Sequence, residues 1–375
     1  MTDKKRKTIK RIMIIIGIIA AVLLILMFIL FPPSFGNIRN SNGDEICEKT
    51  FLDINGTKLG MVIKGSSKDK PVMLLMGGGP GIPEYWLEYE YPTGLDEDFI
   101  VCYPCYRGTA LSYDPDIPKE TVSNEQYLDD ADKITDYLRE RFGQNKIWLM
   151  GHSFGTKIAL QMADRHPEKY EAYIGMSITV DQYKSERLAF WEMLDKYKAD
   201  GSKGMVEDLE KYSELFADPD KAPDRSDSKL KDYYRSIRDK AMHKIGGGSL
   251  RDMKSVITGI FFPSLRMTDF TQSERLNIWK GKSFVNDCPI GKEEFFNAFE
   301  QVSELKIPFY VFAGKYDLTT VYSVQKEYFD FVKADIKGFY TFDESAHSPL
   351  FEESDKAREI LRSDILNKKT DMSDK

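Results

Sequence analysis

Ile147-Trp148-Leu149-Met150-Gly151-His152-Ser153-Phe154-Gly155-Thr156-Lys157-Ile158-Ala159-Leu160 decides how the rest of the chain is read. Four apolar residues read as a short buried strand, and Thr156–Arg165 reads as the start of an amphipathic helix. Between them lies G-x-S-x-G, a motif that gains meaning in this strand–turn–helix setting. A serine there must sit on a sharp, strained turn so that its oxygen projects above a sheet. Glycines two residues before and two after remove side chains that would collide. Ser153 is therefore the expected nucleophile, and the backbone N–H of Phe154 an expected donor to a developing oxyanion.

Working outward, the flanking chain alternates short apolar strands with longer helical patterns. Strands are predicted at Thr50–Ile54, Leu59–Ile63, Val72–Met76, Phe99–Tyr103, Ala172–Met176, Pro308–Ala313 and Gly338–Phe342, beside the one at Ile147–Met150. Asn55-Gly56 between the first two is a hairpin signal. Helices are predicted at Gln126–Phe142, Ser323–Val332 and Ser354–Leu366 as well. Short, continuously apolar strands separated by helices point to an α/β fold with a mostly parallel sheet covered on both faces. From about Asp181 to Val302 no strand pattern occurs, and the stretch is rich in Lys, Asp, Glu and Tyr. This predicts a helical cap inserted at one end of the sheet.

A serine hydroxyl needs a base to remove its proton, and the chain has only four histidines. His152 adjoins the serine and is expected to point away from it, packing or lining a pocket. His166 precedes Pro167 at a helix end, and His243 falls in the insertion. His347 lies in the loop Asp343–Pro349 after the last predicted strand, where such a base must stand. The third member fixes the imidazole tautomer. Asp317, just beyond Pro308–Ala313, completes the chain order Ser, Asp, His; Asp343 is its rival. A second oxyanion donor is expected from the loop Gly77-Gly78-Gly79-Pro80-Gly81, at Gly79.

Of the four cysteines, Cys102 and Cys105 form C-x-x-C at the end of an apolar strand rather than at a helix start, which favours a buried structural role over a redox one. No metal site and no cofactor is indicated.

The 375 residues carry a net charge of -7, unevenly spread. Lys4, Lys5, Arg6, Lys7, Lys10 and Arg11 precede an uncharged run from Ile12 to Phe31. The remainder holds 47 basic and 59 acidic residues, a balance that argues against nucleic-acid binding. Twenty residues at about 1.5 Å each span about 30 Å, the thickness of a hydrocarbon core. A cleaved signal peptide has a shorter apolar region and a small-residue site after it. Here Ala20 and Ala21 lie mid-run and Phe31-Pro32-Pro33 follows. The expected layout is a basic cytoplasmic segment at 1–11 and a transmembrane anchor at 12–31. A polar linker at 32–47 leads to an α/β core at 48–180 and 303–367, interrupted by a helical cap at 181–302 and followed by a flexible tail at 368–375. The positive-inside bias puts the amino terminus in the cytoplasm and the catalytic domain outside, on a single-pass cell-membrane protein.

With these residues in hand, the chain resembles the α/β-hydrolase superfamily, and within it the proline iminopeptidase group. The resemblance rests on Gly78-Gly79-Pro80-Gly81, Tyr106-Arg107-Gly108, the Ser153 elbow and the Asp317 and His347 loops. It covers about residues 48–366. It implies an eight-stranded, mostly parallel sheet, a helical cap, cofactor-independent hydrolysis and removal of an N-terminal residue, often proline, from short peptides. It also implies cap carboxylates that hold the substrate's free amine, for which Glu186 and Glu192 are candidates. Gly77 replaces the group's usual His, Cys105-Tyr106 its Asp-Gln, and Ala110 a Gly. The substrate class expected is a small peptide or an ester, a carboxylesterase or lipase being the alternative reading and a non-catalytic binding protein the third.

Overall fold

The computed structural model describes residues 3–36, 38 and 45–374. Residues 1, 2, 37, 39–44 and 375, which include parts of the expected basic segment, linker and tail, lie outside the described residues. The eight strands are β1 (Ile46–Ile54), β2 (Thr57–Gly65), β3 (Val72–Met76), β4 (Ile100–Pro104), β5 (Ile147–His152), β6 (Tyr170–Met176), β7 (Phe309–Gly314) and β8 (Lys337–Phe342). They form one sheet in the order β1-β2-β4-β3-β5-β6-β7-β8. β1 and β2 pair antiparallel across Asn55 and Gly56, both at positive φ, and β2 pairs antiparallel with β4. Every later pairing is parallel.

The apolar runs explain this arrangement. Every residue of β3, β4, β5 and β7 is buried, as strands covered on both faces must be. β1 lies at the edge and is only partly buried. The helix Asn124–Phe142 is capped at Ser123, whose side chain accepts from Gln126 N–H, and ends on Gly143 at φ 64°. The helix Phe154–Arg165 packs on β5 and β6.

The insertion is helical among the described residues, from Gln182–Ala199 to Ala298–Gln301. Its entry and exit meet: Asp181 and Asn297 form an isolated antiparallel bridge, and Ala298 N–H donates to the Val180 carbonyl at 2.7 Å. The helix Gln272–Asn286 lies on the glycine-rich loop so closely that a Cβ added to Gly81 would stand 2.9 Å from Lys282 Cα.

Two ends differ from expectation. The segment expected to begin a free linker is built into the cap: Arg275 Nη2 donates to the Pro32 carbonyl at 2.7 Å, and Phe35 bridges Thr271. The tail expected to be flexible folds back on the sheet edge. Asp374 N–H donates to the Phe339 carbonyl and Met372 N–H to Asp364 Oδ2, each at 2.8 Å. In both places charged and polar side chains that look solvated in sequence find backbone partners far along the chain.

Candidate active site

Ser153 follows β5 and stands at the head of the helix Phe154–Arg165 with φ 54° and ψ −123°, an unfavourable conformation for a residue with a Cβ. The turn is held by close packing. A Cβ on Gly155 would collide with the carbonyls of Met76 and Gly77, so only glycine lets the elbow touch the end of β3. Ser153 retains partial exposure within otherwise buried surroundings. Phe154 is the first residue of its helix, so its N–H has no intrahelical acceptor.

The loops after β7 and β8 meet. Asp317 Oδ2 lies 2.8 Å from His347 Nδ1, with Asp317 1% and His347 6% exposed. Asp317 also accepts from the N–H groups of Thr319 (2.8 Å) and Thr320 (3.0 Å) and from the Thr320 hydroxyl (2.8 Å). Burial alone would raise the Asp317 carboxyl. The adjoining His347 ring and the Thr320 donors outweigh it and hold the group below its ordinary range. Asp343, the rival, is exposed and paired with Lys315 at 2.8 Å. Among the described residues no hydrogen bond joins the Ser153 hydroxyl to His347; such contacts are often long until substrate binds.

Two residues that sequence reading passed over, Glu84 and Glu352, hold this loop together with His152. His152, expected to pack or to line a pocket, is bonded at both ring nitrogens. Its Nδ1 lies 2.7 Å from Glu84 Oε1 and its Nε2 2.8 Å from the His347 carbonyl. With Glu84 ionised both ring nitrogens face acceptors, the arrangement that suits an imidazolium paired with a carboxylate. Burial would lower its pKa; the Glu84 carboxylate and the His347 carbonyl raise it above the usual value instead. Glu84 Oε2 also accepts Gly78 N–H at 3.1 Å. A buried ion pair thus ties the glycine-rich loop to the His347 backbone. From the other side Glu352 Oε1 accepts Ala346 N–H at 3.0 Å and Ser348 N–H at 3.1 Å, while Oε2 accepts Arg251 N–H from the cap. Burial pushes Glu352 up to about 7 despite these donors. Nothing in local sequence pairs Glu84 with His152, 68 positions later. Glu352 was legible only as a polar residue five positions after His347.

The remaining motif residues fall elsewhere. Arg107 clamps Asp130 through Nε (2.9 Å) and Nη2 (2.8 Å) and serves the scaffold. Tyr106 stacks on Tyr127 at 4.9 Å and donates to the Gly77 carbonyl at 2.9 Å, bracing the loop. Because Glu84 takes the Gly78 amide, the next one, Gly79, carries no such bond among the described residues; Gly79 itself sits at φ 115°. His243 lies in the cap, its ring against the Met253 carbonyl, and burial lowers its pKa. Glu186 gives both carboxylate oxygens to Arg238 Nε (2.9 and 2.8 Å) and one to the Tyr233 hydroxyl (3.0 Å). Glu192 is exposed and paired with Lys196 at 2.6 Å. Glu186 is therefore taken up by Arg238 and Tyr233, while Glu192 stands on the solvent-exposed surface of the cap in a weak pair. The four cysteines are unpaired thiols; Cys102 and Cys105 are fully enclosed, and burial pushes Cys105 up to about 12.

Comparison with known proteins identifies the family. The alpha/beta hydrolase fold family matches residues 71–354. The probable aminopeptidase YbaC of Bacillus subtilis (strain 168) is 26% identical over 308 residues, covering 80% of this chain and 91% of that protein. The proline iminopeptidase of Saccharolobus solfataricus is 25% identical over 320 residues, covering 80% of this chain and 85% of the relative. Among solved structures, the proline iminopeptidase of Mycobacterium smegmatis superposes with a TM-score of 0.59 at 12% identity, covering 86% of this chain and 98% of that one. That last likeness is one of fold.

Proposed function

The chain belongs to the alpha/beta hydrolase fold family, and from that premise we propose that it is a membrane-anchored serine hydrolase, acting through an acyl-enzyme and releasing N-terminal residues from short peptides. The observation that carries the reading is the Asp317–His347 pair, 2.8 Å apart and buried on the loops after β7 and β8, together with Ser153 held at φ 54° on the turn after β5 of the same sheet.

In this mechanism His347 Nε2 takes the Ser153 proton as Oγ bonds to the substrate carbonyl carbon. The carbonyl electron pair moves to oxygen, where the N–H groups of Phe154 and Gly79 receive it. Asp317 keeps Nδ1 protonated and stabilises the imidazolium. Collapse of the tetrahedral species breaks the bond to the leaving group, which takes the proton from His347. Water, deprotonated by the same ring, then releases the acyl group and restores Ser153.

Relatives named as aminopeptidases favour a peptide substrate. One observation favours an esterase instead: Glu186 is neutralised by Arg238 and cannot hold a free amine as it stands. Fluorophosphonate labelling that persists in Ser153→Ala would sink the enzymatic reading. Parallel assay of aminoacyl amides and p-nitrophenyl esters separates the two substrate classes; ester turnover without amide turnover rejects the peptidase.

The anchor reading is supported by 22 consecutive helical residues, Ile9–Leu30, apolar enough to cross a bilayer and unburied by the rest of the chain. The basic residues at its amino-terminal end favour, by the positive-inside bias, a cytoplasmic amino terminus and a catalytic domain on the outer side. Retention in the membrane pellet after a high-salt wash is expected; recovery of a shortened soluble protein would identify a signal peptide.

A further inference from the structure

The anchor and the cap are joined by one buried side chain. Arg275, 0% exposed, donates from Nη1 to the Leu265 carbonyl at 2.6 Å and from Nη2 to the Pro32 carbonyl at 2.7 Å. Its guanidinium carbon stands 4.5 Å from the centre of the Phe31 ring. Ser34 donates to the Thr268 carbonyl, and Phe35 bridges Thr271. The anchor helix itself packs on the cap helix Phe262–Arg266. Pro32 is two residues beyond Leu30, the end of the apolar span. At about 3.5 Å per residue, the cap surface around Arg275 therefore lies within about 7 Å of that helix end.

The cap surface at this junction is apolar. Ile257 is 60% and Leu276 44% exposed, Phe35 is 91% exposed, and Ile260, Phe261 and Phe262 are half-buried. Lys254 and Arg266 flank the segment, both exposed. Apolar side chains clustered beside cations, at the level where a membrane span ends, have the chemistry of a bilayer interface. We propose that this face of the cap, from Ile257 to Leu265 together with Phe35 and Leu276, is seated in the outer lipid headgroup and upper acyl region of the bilayer that holds the anchor. The inference rests on the anchor reading and adds a second, monotopic contact to it. Through the helix Gln272–Asn286, which touches Gly81, the seated cap is continuous with the glycine-rich loop.

The test uses the full chain in phosphatidylcholine vesicles, with Cys47→Ser removing the half-buried thiol and a fluorophore placed at Ile257→Cys. A control carries it at Asp335→Cys, exposed beside β8 at the sheet edge opposite β1; β1 is the edge bonded to the cap through Lys49 and Glu274. With lipids brominated near the carbonyl end of the acyl chain, emission from position 257 should fall at least twofold and resist aqueous iodide. Emission from position 335 should do the reverse. A label at Leu276→Cys should follow position 257. A chain that floats with the vesicles but shows iodide-quenched emission at 257 and 276 overturns the seating while leaving the anchor intact. Labels shielded from both quenchers mean that a second copy or another protein covers the face, which also overturns it. A chain that does not float removes the anchor reading, and this inference with it.

Discussion

Replacing Glu84 by Gln tests whether a buried imidazolium holds the glycine-rich loop and the His347 loop in register. Glu84→Gln keeps the size and one acceptor and removes the charge. His152 then reverts to a neutral ring protonated at Nε2, and the new amide can donate to Nδ1 while its oxygen accepts Gly78 N–H, so the contacts persist and only the charge is lost. A hydrogen bond involving a charged group contributes about 1.5–3 kcal/mol against about 1 for a neutral one, and stripping one partner from a buried ion pair costs about 3–5 kcal/mol. Glu84→Gln should therefore lose about 1–2 kcal/mol of stability and His152→Gln, which leaves a buried carboxylate without its partner, about 3 kcal/mol. The double variant should lose no more than His152→Gln alone, a coupling of about 1–2 kcal/mol. Unfolding free energies measured for all four proteins of the cycle give this number, and kcat/KM on a p-nitrophenyl ester shows whether the same pair is coupled in the transition state. The pH dependence adds a sign. The His152 pKa is raised in the folded state, so its contribution is fully present below the ordinary histidine range and fades as pH rises through the folded value. In Glu84→Gln that fall in stability should flatten. Additive losses, with coupling under about 0.5 kcal/mol, would refute the paired-charge reasoning.

Asp317→Asn should lower kcat by about 10⁴-fold with KM nearly unchanged, because the amide favours the wrong imidazole tautomer; steady-state kinetics with an ester substrate reads this directly. Gly155→Ala drives a Cβ into the Met76 carbonyl and should cost more than about 3 kcal/mol, seen as a collapsed melting temperature or no folded protein. Glu352 has a folded pKa raised from 4.5 to about 7, so its contribution to stability is whole below about pH 4.5 and is lost as pH rises toward 7. The wild-type advantage over Glu352→Gln should therefore shrink by about 3 kcal/mol across that window, measured by unfolding at each pH; a constant difference would mean that Glu352 titrates normally.

The sheet was readable because its signals are local. Each interior strand is a short apolar run bounded by turn residues, and all eight lie where that pattern predicts, with ends shifted by a few residues. The Ser153 elbow was readable because its steric demands fall on residues two apart. His347 and Asp317 followed from fold order and from the scarcity of histidine. What holds those residues was not readable. Glu84 meets His152 only because the fold brings the loop after β3 against the end of β5, which no local pattern shows. Glu186 looked like a free cap carboxylate because Arg238, 52 positions on, is invisible to local pattern. Arg275 gave no hint of its role either, since its two carbonyl partners lie 10 and 243 positions away.

The bridge between Asp181 and Asn297 means that more than a hundred residues leave and rejoin the sheet domain at a single narrow doorway. β6 and β7 therefore register only where the two ends of the excursion stand, not how long it is. Loop-closure entropy grows only slowly with length, so added length by itself costs the sheet little, and what an exchange must preserve is the apolar core that the insertion shares with the sheet. Selection can then reshape the roof of this catalyst wholesale while its floor stays fixed, and grafting the segment between those two residues onto a related scaffold is a practical route to transferring substrate choice.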